Sequence, residues 1–328
     1  MPEFRQNIAT KEWVIFDTEH PHKPEELRNS AKPAKSPQKE CPFCPGAEAK
    51  TSGATFVVGG DDAWRIRCFE KKHPVLMQNA PKIKDRHPLY RALPGEGIHE
   101  VIVDTPDHEA HLATMPEAQA LDLFATYQQR FQTMLHNPHI AMPLLFKNHG
   151  NGPDCVTSHE HSQIVGTSVV PLSIRSRMDE ATKYYESTGL CVFCKMLEQE
   201  MKDQVRVIEE NNHFLAFVLY ASLSPFHIWI LPKRHATSFG DANEKEIADL
   251  ARIMQKVAKR LDQGLNDPAY NYVIQSTPLD RGDSEAFHWY MTMIVHTTKA
   301  SGFQLGSGMF TNTVLPEESA RYLRDLKI

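Results

Sequence analysis

Two hydrophobic periods organise the chain. Period-two or short apolar runs, which predict strands, occur at Trp13-Val14-Ile15-Phe16, Trp64–Phe69, Glu100–Val103, Phe214–Val218 and Phe226–Leu231. A further extended segment is predicted from His159 to Ile164, where His-x-His-x-Gln runs into Ile164 and Val165. Two stretches instead repeat at three and four residues and predict amphipathic helices. One begins near Thr114, with Pro116 in its first turn and Glu117 at capping-box spacing, and carries Leu121, Phe124, Phe131 and Leu135. The other begins at Asp241 with Glu244 and carries Ile247, Leu250, Met254, Val257 and Leu261.

These elements recur in one order. Each half reads cysteine pair, strand, histidine, helix, strand, histidine. His108 and His235 each precede their expected helix cap by six residues, and the next marked histidine follows after 51 and 53 positions, at His159 and His288. A duplicated α+β domain, with antiparallel sheets and helices packed on them, accounts for this order. The expected units are residues 1–175 and 176–328.

Composition narrows the class. A chain of 328 residues that is 41% hydrophobic suits two folded domains, and a net charge of −5 argues against a nucleic-acid-wrapping surface. No apolar run of about 18 residues predicts a membrane span, and the N-terminus lacks a signal-peptide apolar core. A cytoplasmic protein is therefore expected. Four of six cysteines form the pairs Cys41-Pro42-Phe43-Cys44 and Cys191-Val192-Phe193-Cys194. In a reducing compartment such pairs predict metal sites or redox dithiols. Cys41 follows a Pro/Lys-rich loop rather than a strand, which favours metal. The repeat then nominates Cys41/Cys44/His108/His159 and Cys191/Cys194/His235/His288 as Cys2His2 sites suited to structural zinc. Cys68 and Cys155 are expected to be buried small apolar residues.

The halves differ where chemistry would occur. In an extended segment alternate side chains share a face, so His159, His161 and Gln163 line up while Glu160 and Ser162 point away. The second half has His288-Trp289-Tyr290, with tyrosine at the place of His161. If the first histidine of each motif holds metal, only His161 is left as a nucleophile, and phosphorus is a natural electrophile for neutral imidazole. Gln163 on the same face is placed to donate to a phosphate oxygen. No Walker loop or GxGxxG fingerprint is present.

The ordered set Thr10-Lys11-Glu12-Trp13-Val14, Cys41-Pro42-Phe43-Cys44, Pro106-Asp107-His108, Asn148-x-Gly150, His159-x-His161-x-Gln163, Leu231-Pro232-Lys233-x-His235 and Gly302-Phe303-Gln304-Leu305-Gly306 resembles the galactose-1-phosphate uridylyltransferase family of the histidine-triad superfamily. The resemblance spans nearly the whole chain. It implies two histidine-triad-like repeats in a homodimer and ping-pong nucleotidyl transfer in carbohydrate metabolism. The histidine at 161 would take a nucleoside monophosphate from a nucleoside diphosphate hexose of the UDP-glucose type and pass it to a hexose 1-phosphate. It further implies Cys41, Cys44, His108 and His159 as zinc ligands and Gln163 as a phosphate contact. Asn148, Gly150, Lys71, Lys72, Phe303 and Gln304 would then fall at substrate-binding positions. The second cysteine pair and Ser162 are similar to the ADP-glucose phosphorylase branch, which uses phosphate as acceptor. The chain departs from the family at Glu160, where a proline is usual, at Val156 and Asp154 in place of serine and glycine, and at Lys71-Lys72. A zinc-ordered nucleotide-binding protein without catalysis is the contrasting reading.

Overall fold

A computed structural model describes the chain except residues 33–35, 61–62, 84–88, 91, 151–157, 280–284 and 298–300, so Asp154, Cys155 and Val156 lie outside the described residues. Two N-terminal strands, β1 (Glu3–Gln6) and β2 (Trp13–Phe16), come first. The first half follows with β3 (Ala54–Gly60), β4 (Ala63–Glu70), β5 (Gly97–Val103), α1 (Glu117–Leu135), β6 (Met142–His149) and β7 (His161–Thr167). Helices α2 (Leu172–Thr188) and α3 (Val192–Asp203) lead to β8 (Val207–Glu210), β9 (Phe214–Val218), β10 (Ile228–Pro232), α4 (Glu244–Leu265), β11 (Tyr270–Gln275) and β12 (Tyr290–Val295). The chain closes with α5 (Gly302–Ser307), β13 (Phe310–Asn312) and α6 (Pro316–Asp325). No described helix is long and apolar enough to cross a membrane.

Ten strands form one antiparallel sheet in the order β3-β4-β5-β7-β6-β11-β12-β10-β9-β8. Read outward from the central β6–β11 seam, both halves have the same sequence of strands, so the duplication is visible as topology. Joining β6 to β11 covers an edge that each half would otherwise expose. Strand β13 pairs in parallel with β2 in a separate three-stranded sheet.

One sheet face carries α1 and α4. Phe124, Phe131, Leu250, Met254 and Leu261 pack there with Ile102, Ile164, Tyr272 and Met291, so the two halves share a core. On the other face α2 and α3 cover the second half, where Ile174, Met178 and Phe193 meet Phe217, Trp229 and Tyr290. In the first half Met142 and Leu144 of β6 join that cluster, and Trp64, Phe69, Val101 and Val103 form a smaller one with Phe43.

The expected strands are present, while both helix starts differ from expectation. Thr114 bonds with His111 in the preceding turn, and α1 begins after Pro116 without a side-chain cap. Asp241 belongs to a 3-10 turn, and α4 is capped by Asn243, whose Oδ1 accepts from the Lys245 and Glu246 amides while Glu246 accepts from Asn243 N–H. At α4 the choice is local, since Asn243 closes a reciprocal capping box with Glu246 that leaves Asp241 in the turn before it. Strand β7 likewise starts at His161 rather than His159.

Beneath β7 lies a buried charge chain. Glu160 pairs with Lys147 and, at 2.8 Å, with His149 Nδ1; His149 Nε2 meets Asp267 at 2.8 Å. Lys147 also pairs with Asp104, which accepts from Ser162 Oγ at 3.0 Å. Burial opposes each charge, but Lys147 and His149 hold the Glu160 carboxyl well below its usual range. Burial would lower the His149 pKa, yet Glu160 and Asp267 push it up to about 9. Asn266 and Asp267 both adopt left-handed backbone, a conformation that is costly for L-residues and is held here by these contacts.

His149 faces Glu160, Asp267, the ring of His111 and the stacked Tyr270. Its folded pKa lies above the unfolded value near 6.5, so its contribution to stability is full below about pH 6.5 and lost as pH rises through about 9. The thermal midpoint should therefore fall between pH 6.5 and 9.5, and His149→Gln should lower the midpoint at pH 7 and flatten that slope. An unaltered slope in the variant would remove His149 as its source.

Candidate active site

The pleat of β7 sorts the side chains as its sequence requires. His161 and Gln163 face the side lined by Phe43 and His99, whereas Ser162 points to Tyr127 and Asp104 in the core. His159, one residue before Glu160, is fully buried and reaches the cysteine knuckle.

The first knuckle brings four donors together. His159 Nδ1 lies 3.5 Å from Cys41 Sγ and 3.4 Å from Cys44 Sγ, and His108 Nδ1 lies 3.3 Å from Cys44 Sγ. In a tetrahedron with zinc-like bond lengths, sulfur and nitrogen donors stand roughly 3.5 Å apart, so the donor set fits a metal. Both imidazoles turn Nδ1 toward the thiols and would coordinate a metal through it, because each Nε2–H is engaged: His159 donates to Thr105 O at 2.7 Å and His108 to Ser36 O at 2.9 Å. Burial pushes the Cys44 thiol up to about 11, which disfavours a thiolate until a cation compensates it.

The second knuckle repeats the geometry, with Cys194 Sγ 3.3 Å from His235 Nδ1 and 3.4 Å from His288 Nδ1. Cys191 completes the cluster. His235 Nε2, however, has no hydrogen-bond partner among the described residues. His111, His149 and Asp267 also converge. There the 2.8 Å from His149 to Asp267 is shorter than the roughly 3.4 Å between nitrogen and oxygen ligands on one zinc, and it marks a shared proton rather than a metal edge.

His161 is 8% exposed, and its Nδ1 lies 2.9 Å from the carbonyl of His159. A carbonyl can only accept, so Nδ1 carries the proton and Nε2 keeps its lone pair. Burial lowers the ring's pKa to about 4, leaving it neutral at physiological pH. The Phe43 ring stands 5.0 Å away, edge-on. Nε2 has no hydrogen-bond partner among the described residues, and a neutral imidazole with its tautomer so fixed can attack an electrophilic phosphorus and hold it covalently.

Around it, Gln163 Oε1 accepts from Lys71 Nζ at 2.9 Å and lies 2.9 Å from His99 Nε2. Lys71 and His99 also line a cavity of about 350 Å³, with Lys72 and Leu76; His161 and Gln163 are not among its lining residues. Asn148 and Gly150 stand at the end of β6, opposite β11. Gly150 has φ +87°, and a Cβ there would come within 2.8 Å of Ala269 Cα, so the turn admits only glycine without a shift. Gln304 turns back onto its own helix start, accepting from Ser301 N–H, and Phe303 is half-exposed. Neither shares a hydrogen bond or ring contact with His161 among the described residues.

Sequence reasoning missed Phe43, His99 and Lys147. Phe43 was signalled only as the spacer of a cysteine pair, and His99 as one polar residue in an apolar strand. Lys147 is 1% exposed, which no local pattern announces for a lysine.

Comparison with known proteins agrees with this geometry. Residues 1–171 match the N-terminal domain and residues 177–327 the C-terminal domain of galactose-1-phosphate uridyl transferase. An ADP-glucose phosphorylase from Arabidopsis thaliana is 30% identical over 333 residues, covering 100% of this chain and 93% of the relative. A galactose-1-phosphate uridylyltransferase from Thermotoga maritima is 27% identical over 342 residues, covering 100% and 99%. The crystal structure of the Arabidopsis ADP-glucose phosphorylase with bound ADP-glucose superposes with a TM-score of 0.84 at 30% identity over all of both chains. A uridylyltransferase structure gives 0.78 at 26% identity, covering 99% of this chain and 97% of that one. The chain belongs to the galactose-1-phosphate uridylyltransferase family and is a nucleotidyltransferase of that family.

Proposed function

We propose that this enzyme moves a nucleoside monophosphate from a nucleoside diphosphate hexose of the UDP-glucose type to a hexose 1-phosphate by way of a covalent nucleotidyl-His161. The observation that carries the reading is the Nε2 of a neutral His161, unbonded among the described residues, with Nδ1 fixed by the His159 carbonyl and Gln163 on the same face of β7. Nε2 attacks the α-phosphorus; the N–P bond forms as the P–O bond to the hexose phosphate breaks. An oxygen of the incoming sugar phosphate then attacks the same phosphorus, and the N–P bond breaks to return neutral His161. The Gln163 amide and the Lys71 ammonium supply donors for the charge on the phosphate oxygens. Asn148 and Gly150 hold the neighbouring loop edge, and Lys72 adds charge at the cavity rim. Phe303 and Gln304 enter as hexose contacts on the resemblance alone.

We further propose zinc for both Cys2His2 clusters, where it would order the knuckles that carry Phe43 and Phe193. The repeats divide at 175/176, in the first turn of α2, and the enzyme works as a homodimer. Two Cys-x-x-Cys pairs whose thiols gather with histidines in metal-suited clusters support a cytoplasmic location. A second reading has phosphate itself as acceptor. The full-length likeness to an ADP-glucose phosphorylase favours it.

Incubation with UDP-glucose or ADP-glucose labelled at the α-phosphate should leave acid-labile label on His161 and none on His161→Ala. Discharge by hexose 1-phosphate or by phosphate then identifies the acceptor. Turnover by His161→Ala would end the proposal, and tight binding without label would leave a nucleotide-binding protein. For the metals, a chelator should extract two ions per chain in two phases. The faster belongs to the second site, where Cys194 is only half-buried and His235 lacks an outer partner. His235→Ala should abolish that phase alone, and loss of the slower phase instead would reverse the assignment.

A further inference from the structure

The orientation of the Gln163 amide is decided by chemistry around it. His99 Nδ1 accepts from Val75 N–H at 3.2 Å, so that nitrogen carries the lone pair and Nε2 carries the proton. A protonated Nε2 at 2.9 Å requires an oxygen opposite it, and so does the Lys71 ammonium, also at 2.9 Å. Two independent donors therefore claim Oε1. The Gln163 NH2 group has no protein acceptor among the described residues and lies on the face that bears His161.

The second half carries the same device in the same register. Val101 pairs with Gln163, and His99 stands two residues before Val101; Trp229 pairs with Thr292, and His227 stands two residues before Trp229. His227 Nδ1 accepts from Leu223 N–H at 3.3 Å, and its Nε2 meets Thr292 Oγ1 at 2.8 Å. Both histidines are 4% exposed, and burial lowers the pKa of each, keeping them neutral. In the second half Tyr290 replaces the nucleophile and is 1% exposed, so the brace survives there with nothing to aim.

We infer that His99 is a positioning residue: it holds Oε1 of Gln163 so that the amide presents its two N–H donors to the phosphate of a bound nucleotide. This deepens the proposed transfer through His161 and rests on that reading for the identity of the phosphate, while its test needs no chemistry. Without His99 only the flexible Lys71 side chain claims Oε1, and an amide held by that one donor turns its oxygen to the phosphate part of the time, which repels rather than binds. His99 and Gln163 thus act as a unit, and their effects are non-additive.

The probe is the phosphate increment in affinity: the ratio of dissociation constants for adenosine and AMP, and for uridine and UMP, on the metal-loaded protein. Gln163→Ala should shrink it by roughly tenfold, about the net value of a hydrogen bond to a charged group. His99→Phe should shrink it severalfold in the wild-type background and leave it unchanged in the Gln163→Ala background. His99→Gln, which keeps an N–H where Nε2 stands, should restore part of it. His227→Phe reports what losing the same brace costs in stability, and it should leave the increment intact. The inference is overturned if His99→Phe keeps the wild-type ratio, if its loss persists undiminished in Gln163→Ala, or if the wild-type protein does not distinguish nucleotide from nucleoside. Because binding is read without turnover, a protein that shows the coupling but takes no label on His161 would refute the transfer and retain the inference.

Discussion

One hydrogen bond sets what the site can do: His161 Nδ1–H to the carbonyl of His159. It spans two residues, so it needs the backbone between them to be fixed, and three contacts fix it. His159 is tied to the cysteine knuckle on one side and to Thr105 O on the other. The Glu160 carbonyl accepts from Asp104 N–H at 3.1 Å, which docks the segment on the end of β5. Strand β7 then pairs with β5 and β6 along its length. Metal site, tautomer and sheet register are consequently one constraint, because loosening any of them frees the carbonyl that holds the ring.

The duplication sets a histidine in one half against a tyrosine in the other at the same place in the frame. Each knuckle sends its phenylalanine across to the residue two past a histidine of its own Cys2His2 cluster: Phe43 meets His161 at 5.0 Å, and Phe193 meets Tyr290 at 5.5 Å. In the first half this is an edge contact of two rings. In the second it is a stack, continued by Trp229 at 4.1 Å from Tyr290 and closed by α2 and α3. The same frame has thus been used once as a site and once as an apolar core, and burial of the aromatic stack contributes stability that an open cleft cannot.

Much of this was legible in the sequence, because the signals were local or repeated. The paired cysteines, the equal histidine spacings and the alternation at His159-x-His161-x-Gln163 all survive as geometry. The continuity of the sheet was not legible: nothing in β6 or β11 alone states that Phe146 will pair with Val273. Nor were the partners of the site residues. His99 lies 64 positions from Gln163 and Lys71 lies 92, so only the folded strand order makes them neighbours. Each helix cap lies two residues beyond its expected place, at Pro116 rather than Thr114 and at Asn243 rather than Asp241.

Glu160 is the residue whose meaning changed most between sequence and structure. At a position where the family usually has proline, a glutamate reads as lost rigidity, since it restores a free φ and a peptide N–H. The fold answers with charge instead of a ring. A carboxylate this buried is stable only with partners, and it has two, Lys147 and His149, both from β6. They are in turn held by Asp104, at the end of β5, and by Asp267, at the entry to β11, so the side chain between the metal ligand and His161 is tethered to three flanking segments. Removing one partner would leave a buried charge uncompensated, a far larger penalty than the freedom a missing proline confers. The segment is therefore restrained by electrostatics acting on the core face of β7, and that face is the one His161 does not use.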